Sequence, residues 1–171
     1  MKQLTLKSIK EAESKFNSKS LDKAYKLFNN FQKKHIAYGN LLGFMSMSKT
    51  NPLAEGEFML DFFNIFWVYE NHYKLTIRKF TPVEFSETIG KWYAFFEDKK
   101  TKNIPKEKLE EAAKLVKQKV VSELINLNIA KPLLGSKLKD KYSIITIYAL
   151  FYCTIELLNE QVKTAENKKK A

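Results

Sequence analysis

The sequence predicts an all-α protein, a single compact bundle of five to six helices. Apolar residues recur at spacings of three and four through several long segments, the period of one helix face. Proline stands where helices should begin, in two places directly behind a residue able to cap. The 171 residues hold 5 Gly and 4 Pro, too few for the turns that a β-sandwich or barrel requires.

The elements follow in chain order. Residues 1–18 carry a weak helical pattern centred on Ser8 to Phe16, or else form a loose arm of the single domain expected over 1–171. A second segment, 21–47, places Leu21, Ala24, Phe28, Phe31, His35, Tyr38, Leu42 and Met45 on one helix face. Gly39 and Gly43 fall inside it, and a kink or break near Gly39 is expected. A third helix starts at Asn51-Pro52 and runs through Phe58, Phe62, Phe66 and Tyr69 to about Lys79. It is apolar over much of its circumference, with Phe63 and Trp67 as further contacts, so it belongs inside the bundle.

The fourth start is the sharpest local signal. Thr81-Pro82-Val83-Glu84 is a capping box, and Phe80 and Phe85 occupy the positions of a hydrophobic staple. Ile89, Trp92 and Phe96 continue the buried face to about Asp98. After a polar linker at 99–103, Pro105 opens a fifth helix striped by Leu109, Ala113, Val116, Val120, Leu124 and Leu127. Glu107, Glu110 and Glu111 stand early in it, where the helix dipole favours anions. A turn at 131–139 leads to Asp140, the expected cap of a last helix reaching about Thr164. The β-branched residues of 142–155 would also suit a strand, but nothing else in the chain reads as a partner strand, so helix is the reading kept. The end, 166–171, is expected to fray.

Composition narrows the function classes. The lone Cys153 cannot form an intramolecular disulfide, the opening residues lack the apolar core of a secretory signal, and the longest apolar run, 144–158, is shorter than a membrane span. A cytoplasmic protein with no membrane contact is expected. Net charge is +11, divided as +7 over 1–50, −4 over 51–98 and +8 over 99–171. Of 30 basic residues only Arg78 is arginine, whose planar fork specific nucleic-acid readers favour.

On the second helix Lys19, Lys23, Lys26, Lys33 and Lys34 fall, with Asn30, within an arc of about 100° that faces away from the apolar stripe. Such a row suits an acidic partner, either nucleic acid or protein, and also suits a plain solvated face. Glu57 and Asp61, extended by Asn64 and Asn71, share a polar face of the third helix.

Catalytic patterns are sparse. His35 and His72 lack metal-ligand spacing, so neither a metal nor another cofactor is expected. No His follows residue 72, which disfavours a globin, and Arg78 has no His after it, as a helical HEPN ribonuclease would need. No glycine-rich phosphate loop or Gly-x-Ser-x-Gly elbow occurs. Glu84-x-x-Glu87 followed by Glu107-x-x-Glu110 resembles the carboxylate pattern of the all-α MazG-type nucleoside triphosphate pyrophosphohydrolases, with Glu in place of the final Asp. That resemblance implies a magnesium-dependent enzyme; against it, Glu84 has a capping role, and Glu87 and Glu110 can pair with Lys91 and Lys114. The reading carried forward is a non-enzymatic helical binding or assembly module with a basic surface. The enzyme and a homo-oligomeric structural protein are the alternatives.

Overall fold

The computed structural model describes residues 3–37, 40, 52–97, 104–118 and 141–169, with side chains from 60 onward in the third helix and from 144 onward in the last. Among the described residues there are six α-helices and no strand: α1 (Leu6–Asn17), α2 (Leu21–Lys34), α3 (Pro52–Tyr73), α4 (Pro82–Phe96), α5 (Lys106–Val116) and α6 (Lys141–Lys168). The all-α expectation is met. The chain divides into two compact units, Leu4–Lys79 and Phe80–Ala171.

In the first unit α3 is the buried helix. Phe62, Phe63, Ile65, Phe66, Val68 and Tyr69 are all inside, spread round the helix rather than along one stripe. Such a helix must be covered. α1 does so with Ile9 and Ala12, while half-buried Phe16 sets its ring edge-on to Phe63 and Trp67 at centroid distances of 5.2 and 5.9 Å. Trp67 Nε1 donates to the Ala12 carbonyl at 2.8 Å, which fixes the register of the pair. The first segment is thus an ordered helix. Thr5 and Ser8 form its capping box, with Ser8 Oγ accepting from the Thr5 amide at 2.9 Å in the place usually held by Glu or Gln.

α2 covers α3 less completely. Phe28 and Phe31 meet Phe63 edge-on, each at 5.6 Å, and Phe31 meets Phe66 at 5.0 Å. His35 caps α2, and the described residues 36, 37 and 40 beyond it are again helical, so the segment breaks at His35. Gly39 and the rest of that stripe, Tyr38, Leu42 and Met45, lie outside the described residues, as does Asn51. α3 ends at Tyr73, not Lys79. Lys74 turns left-handed at φ 51°, and Ile77 then sits buried in non-helical chain, its amide held by Glu70 Oε1 at 2.9 Å.

In the second unit α6 is the buried helix. From 145 to 159 every residue is buried except Thr146 and Glu156, which are half-buried. α4 and α5 pack on it. α4 starts as the sequence indicates: Glu84 Oε2 accepts from the Thr81 amide at 2.8 Å, Thr81 Oγ1 accepts from the Glu84 amide at 3.2 Å, and Phe80 and Phe85 are both buried. Trp92 and Phe96 join Tyr152 at 5.1 and 5.4 Å.

α5 stops at Val116, short of the Leu127 that periodicity suggests. Lys117 adopts φ 54°, and Asn159 Nδ2 takes the freed Val116 carbonyl at 2.7 Å. Gln118, also buried, reaches Asn159 Oδ1 at 3.4 Å. Residues 119–140 lie outside the described set, including the expected turn and Asp140. α6 continues four residues past Thr164 to Lys168.

Glu156 pins α4 to α6: Trp92 Nε1 donates to Oε2 at 2.6 Å and Lys91 Nζ to Oε1 at 2.7 Å. Removing the carboxylate leaves the indole N–H inside without an acceptor. Glu156→Ala should therefore cost about 2 kcal/mol, and Glu156→Gln, which keeps an acceptor, about half of that. Urea denaturation followed by circular dichroism measures both. Equal costs for the two substitutions would contradict the role assigned to the carboxylate.

Candidate binding surface

The basic row of α2 is placed by what lies behind it. Phe28, Phe31 and His35 turn inward, so residues on the opposite side of a 3.6-residue helix face water. Lys23, Lys26 and Lys33 are exposed there, with Asn30 among them. None of the three makes a hydrogen bond or ion pair among the described residues.

The other two lysines of the row are used internally. Lys19 is half-buried in the α1–α2 turn, its Nζ 5.3 Å from the centre of the Trp67 ring. Lys34 is half-buried and donates from Nζ to the carbonyl of Ile77, tying α2 to the segment after α3. The five lysines therefore separate into three at the surface and two that hold the unit together.

Two exposed residues of α2 were not singled out from sequence. Leu21 is 72% exposed and Tyr25 61% exposed, one helical turn apart, with Leu21 on the side of α2 that carries Phe28 and Phe31 and not among the lysines. Leu21 was expected on the buried stripe, but α2 is anchored by Phe28 and Phe31 further along. Tyr25 stands four residues after Leu21 and three before Phe28, so spacing alone does not mark it as exposed. Asp22 is exposed on the same outward side.

The remaining candidates have structural surroundings. Glu84 is occupied by the Thr81 cap, and Glu87 and Glu107 are exposed. Glu110 pairs with Lys106 at 3.6 Å rather than with Lys114, and Lys91 goes to Glu156 rather than Glu87. Among the described residues no group of three or more His, Cys, Asp or Glu is placed to hold a metal ion. Asp61 is half-buried, Asn64 is exposed, and Asn71 Nδ2 donates to the Trp67 carbonyl at 2.9 Å; the Glu57 side chain lies outside the described set.

Cys153 is buried, and burial with the nearby Glu156 pushes its thiol up, so it stays protonated. Burial, with Tyr152 beside it, raises Tyr148 to about 12. His72 is half-buried with its ring edge-on to Tyr73 at 4.7 Å.

No described helix is long and apolar enough to cross a membrane. No protein-family model, curated protein or solved structure matches the chain.

His35 offers a test of how α2 is seated. Its ring lies 4.4 Å from that of Phe66 and 5.1 Å from that of Phe31. Burial, then the charges of Lys34 and Lys79, lower its pKa from 6.5 to about 4. Between those values the unfolded chain binds a proton that the folded chain refuses. Stability from this group is thus complete above pH 6.5 and is lost as pH falls toward 4, by up to about 1.4 kcal/mol per pH unit. Urea midpoints measured at several pH values should show this slope in the parent chain and a shallower one in His35→Phe. Identical slopes would contradict the neutral, buried ring.

Proposed function

We propose that this chain is a non-enzymatic binding module that contacts an acidic macromolecule through the outward face of α2. The observation that carries this reading is the triplet Lys23, Lys26 and Lys33, exposed on one helix face and unpaired among the described residues. Ten residues of helix separate the first lysine from the last, a length of about 15 Å. Lys23 and Lys26, about 4.5 Å apart along the axis, lie within the Debye length of about 8 Å at physiological salt and reinforce one another, and Lys33 extends the row for a polyanion in direct contact.

The surroundings add to the effect. Residues 4–37 carry eight lysines against three acids, Glu11, Glu13 and Asp22. The lysines of α1 that face water, Lys7, Lys10 and Lys15, supply background charge but lie on another helix. Comparison of the two sets separates a defined face from general basicity.

Fluorescence anisotropy with a labelled oligonucleotide and a labelled acidic peptide provides the test. At least one should bind and should weaken steeply with salt. A duplex touching three lysines would lose roughly 40-fold between about 50 and about 200 mM salt. Lys23→Glu, Lys26→Glu and Lys33→Glu together should abolish binding, whereas Lys7→Glu, Lys10→Glu and Lys15→Glu together should leave most of it. Failure of both probes to bind, or equal losses in the two triple variants, would overturn the reading.

A further inference from the structure

Resting on that reading, we infer that the acidic partner is a nucleic-acid duplex, held by its phosphates and not by its bases. The lysine face of α2 holds no apolar side chain. At 3.6 residues per turn, the arc of about 100° from Lys33 through Lys26, Asn30 and Lys23 to Lys34 is lysine and asparagine throughout. Leu27, next beyond Lys34, is half-buried, and the exposed Leu21 and Tyr25 stand about 80° or more round the helix from Lys23, Lys26 and Lys33. A specific protein interface is built round apolar and aromatic anchors shut off from water, and lysine is depleted from it. A protein partner would find no such anchor on this face. A duplex needs none, because each lysine that meets a phosphate releases a condensed counterion and that release drives association. Asparagine serves the same contact by donating hydrogen bonds to phosphate oxygens.

Other polyanions fit less well. A single strand calls for aromatic rings among the cations, on which bases stack, and the arc has none. An anionic membrane surface calls for apolar side chains to enter it beside the cations. A duplex carries its phosphates on a stiff frame, one per about 3.4 Å of axis on each strand, so a helical row about 15 Å long meets several without ordering a flexible partner. Lysine is a point charge on a flexible stem and lacks the fork that reads guanine, so the contact is blind to sequence. Asp22 is the acid bordering the arc; it stands in the first turn of α2, where the helix dipole favours it, and pairs with neither Lys23 nor Lys26.

Fluorescence anisotropy on the full chain compares an A·T-rich and a G·C-rich DNA duplex of about 20 base pairs, an RNA duplex of the same length, an oligothymidine and polyglutamate. The two DNA duplexes should bind within about twofold of each other. The tighter-binding duplex, DNA or RNA, should exceed oligothymidine and polyglutamate by about tenfold or more, and it identifies the source of the phosphates. Lys33→Ala should make the slope of log affinity against log salt shallower by about 0.9. Leu21→Ser with Tyr25→Ala should leave duplex binding unchanged. All these positions are exposed, so the variants should keep their helix content, which circular dichroism verifies. Polyglutamate or oligothymidine binding as tightly as the duplexes, a strong preference for one DNA sequence, or an unchanged salt slope in Lys33→Ala would overturn the inference. If in those cases charge reversal of Lys23, Lys26 and Lys33 still abolishes binding, the acidic-partner reading stands alone. If no probe binds, both fall.

Discussion

Each unit is organised around one helix that has almost no polar side to offer water. α3 buries aromatic and aliphatic residues round most of its described length, and α6 buries nearly every position from 145 to 159. Removing an aromatic or aliphatic side chain from water stabilises by about 1.5–3 kcal/mol, so exposing either helix on one side would forfeit several such contributions at once. The shorter helices exist to prevent that. α1 and α2 cover α3; α4 and α5 cover α6. Each covering helix uses one face for the purpose and turns its charged face outward.

Polar groups on the buried helices are satisfied by this arrangement. Thr154 Oγ1 donates back to the Leu150 carbonyl at 2.7 Å, Asn159 serves the end of α5, and Glu156 holds the indole of Trp92. No buried side-chain nitrogen or oxygen among the described residues lacks a partner. The Asn159 and Glu156 contacts set where α5 and α4 lie along α6, while the Thr154 bond stays within α6. Two charged groups on the cover of α3 do similar work: Lys19 over Trp67 and Lys34 at the Ile77 carbonyl.

Local chemistry was readable in the sequence wherever it is complete within a few residues. The Thr81–Glu84 box, the Phe80–Phe85 staple and the Pro105 start all appear where their residues indicate. Helix ends were harder to read, because tertiary contacts decide them. Periodicity carries α5 past Val116 to Leu127, but Asn159, forty-three residues away, takes the Val116 carbonyl and Lys117 turns the chain. α3 stops at Tyr73 because Ile77 gains burial in extended chain with Glu70 holding its amide. The candidate surface was legible as a lysine arc, yet helical angle alone could not separate Lys23, Lys26 and Lys33 from Lys19 and Lys34. That division depends on where Trp67 and the segment after α3 stand. For the same reason Leu21 resembled a core position: its period is right, but the covering contact begins further along α2.

The account therefore rests on two internal helices protected by amphipathic neighbours. Native-state hydrogen exchange resolved by residue tests it most directly. Amides of 62–69 should exchange more slowly than those of α1 and α2, and amides of 147–158 more slowly than those of α4 and α5, opening only with unfolding of their unit. Exchange in 62–69 or 147–158 as fast as in the helices that cover them would contradict it.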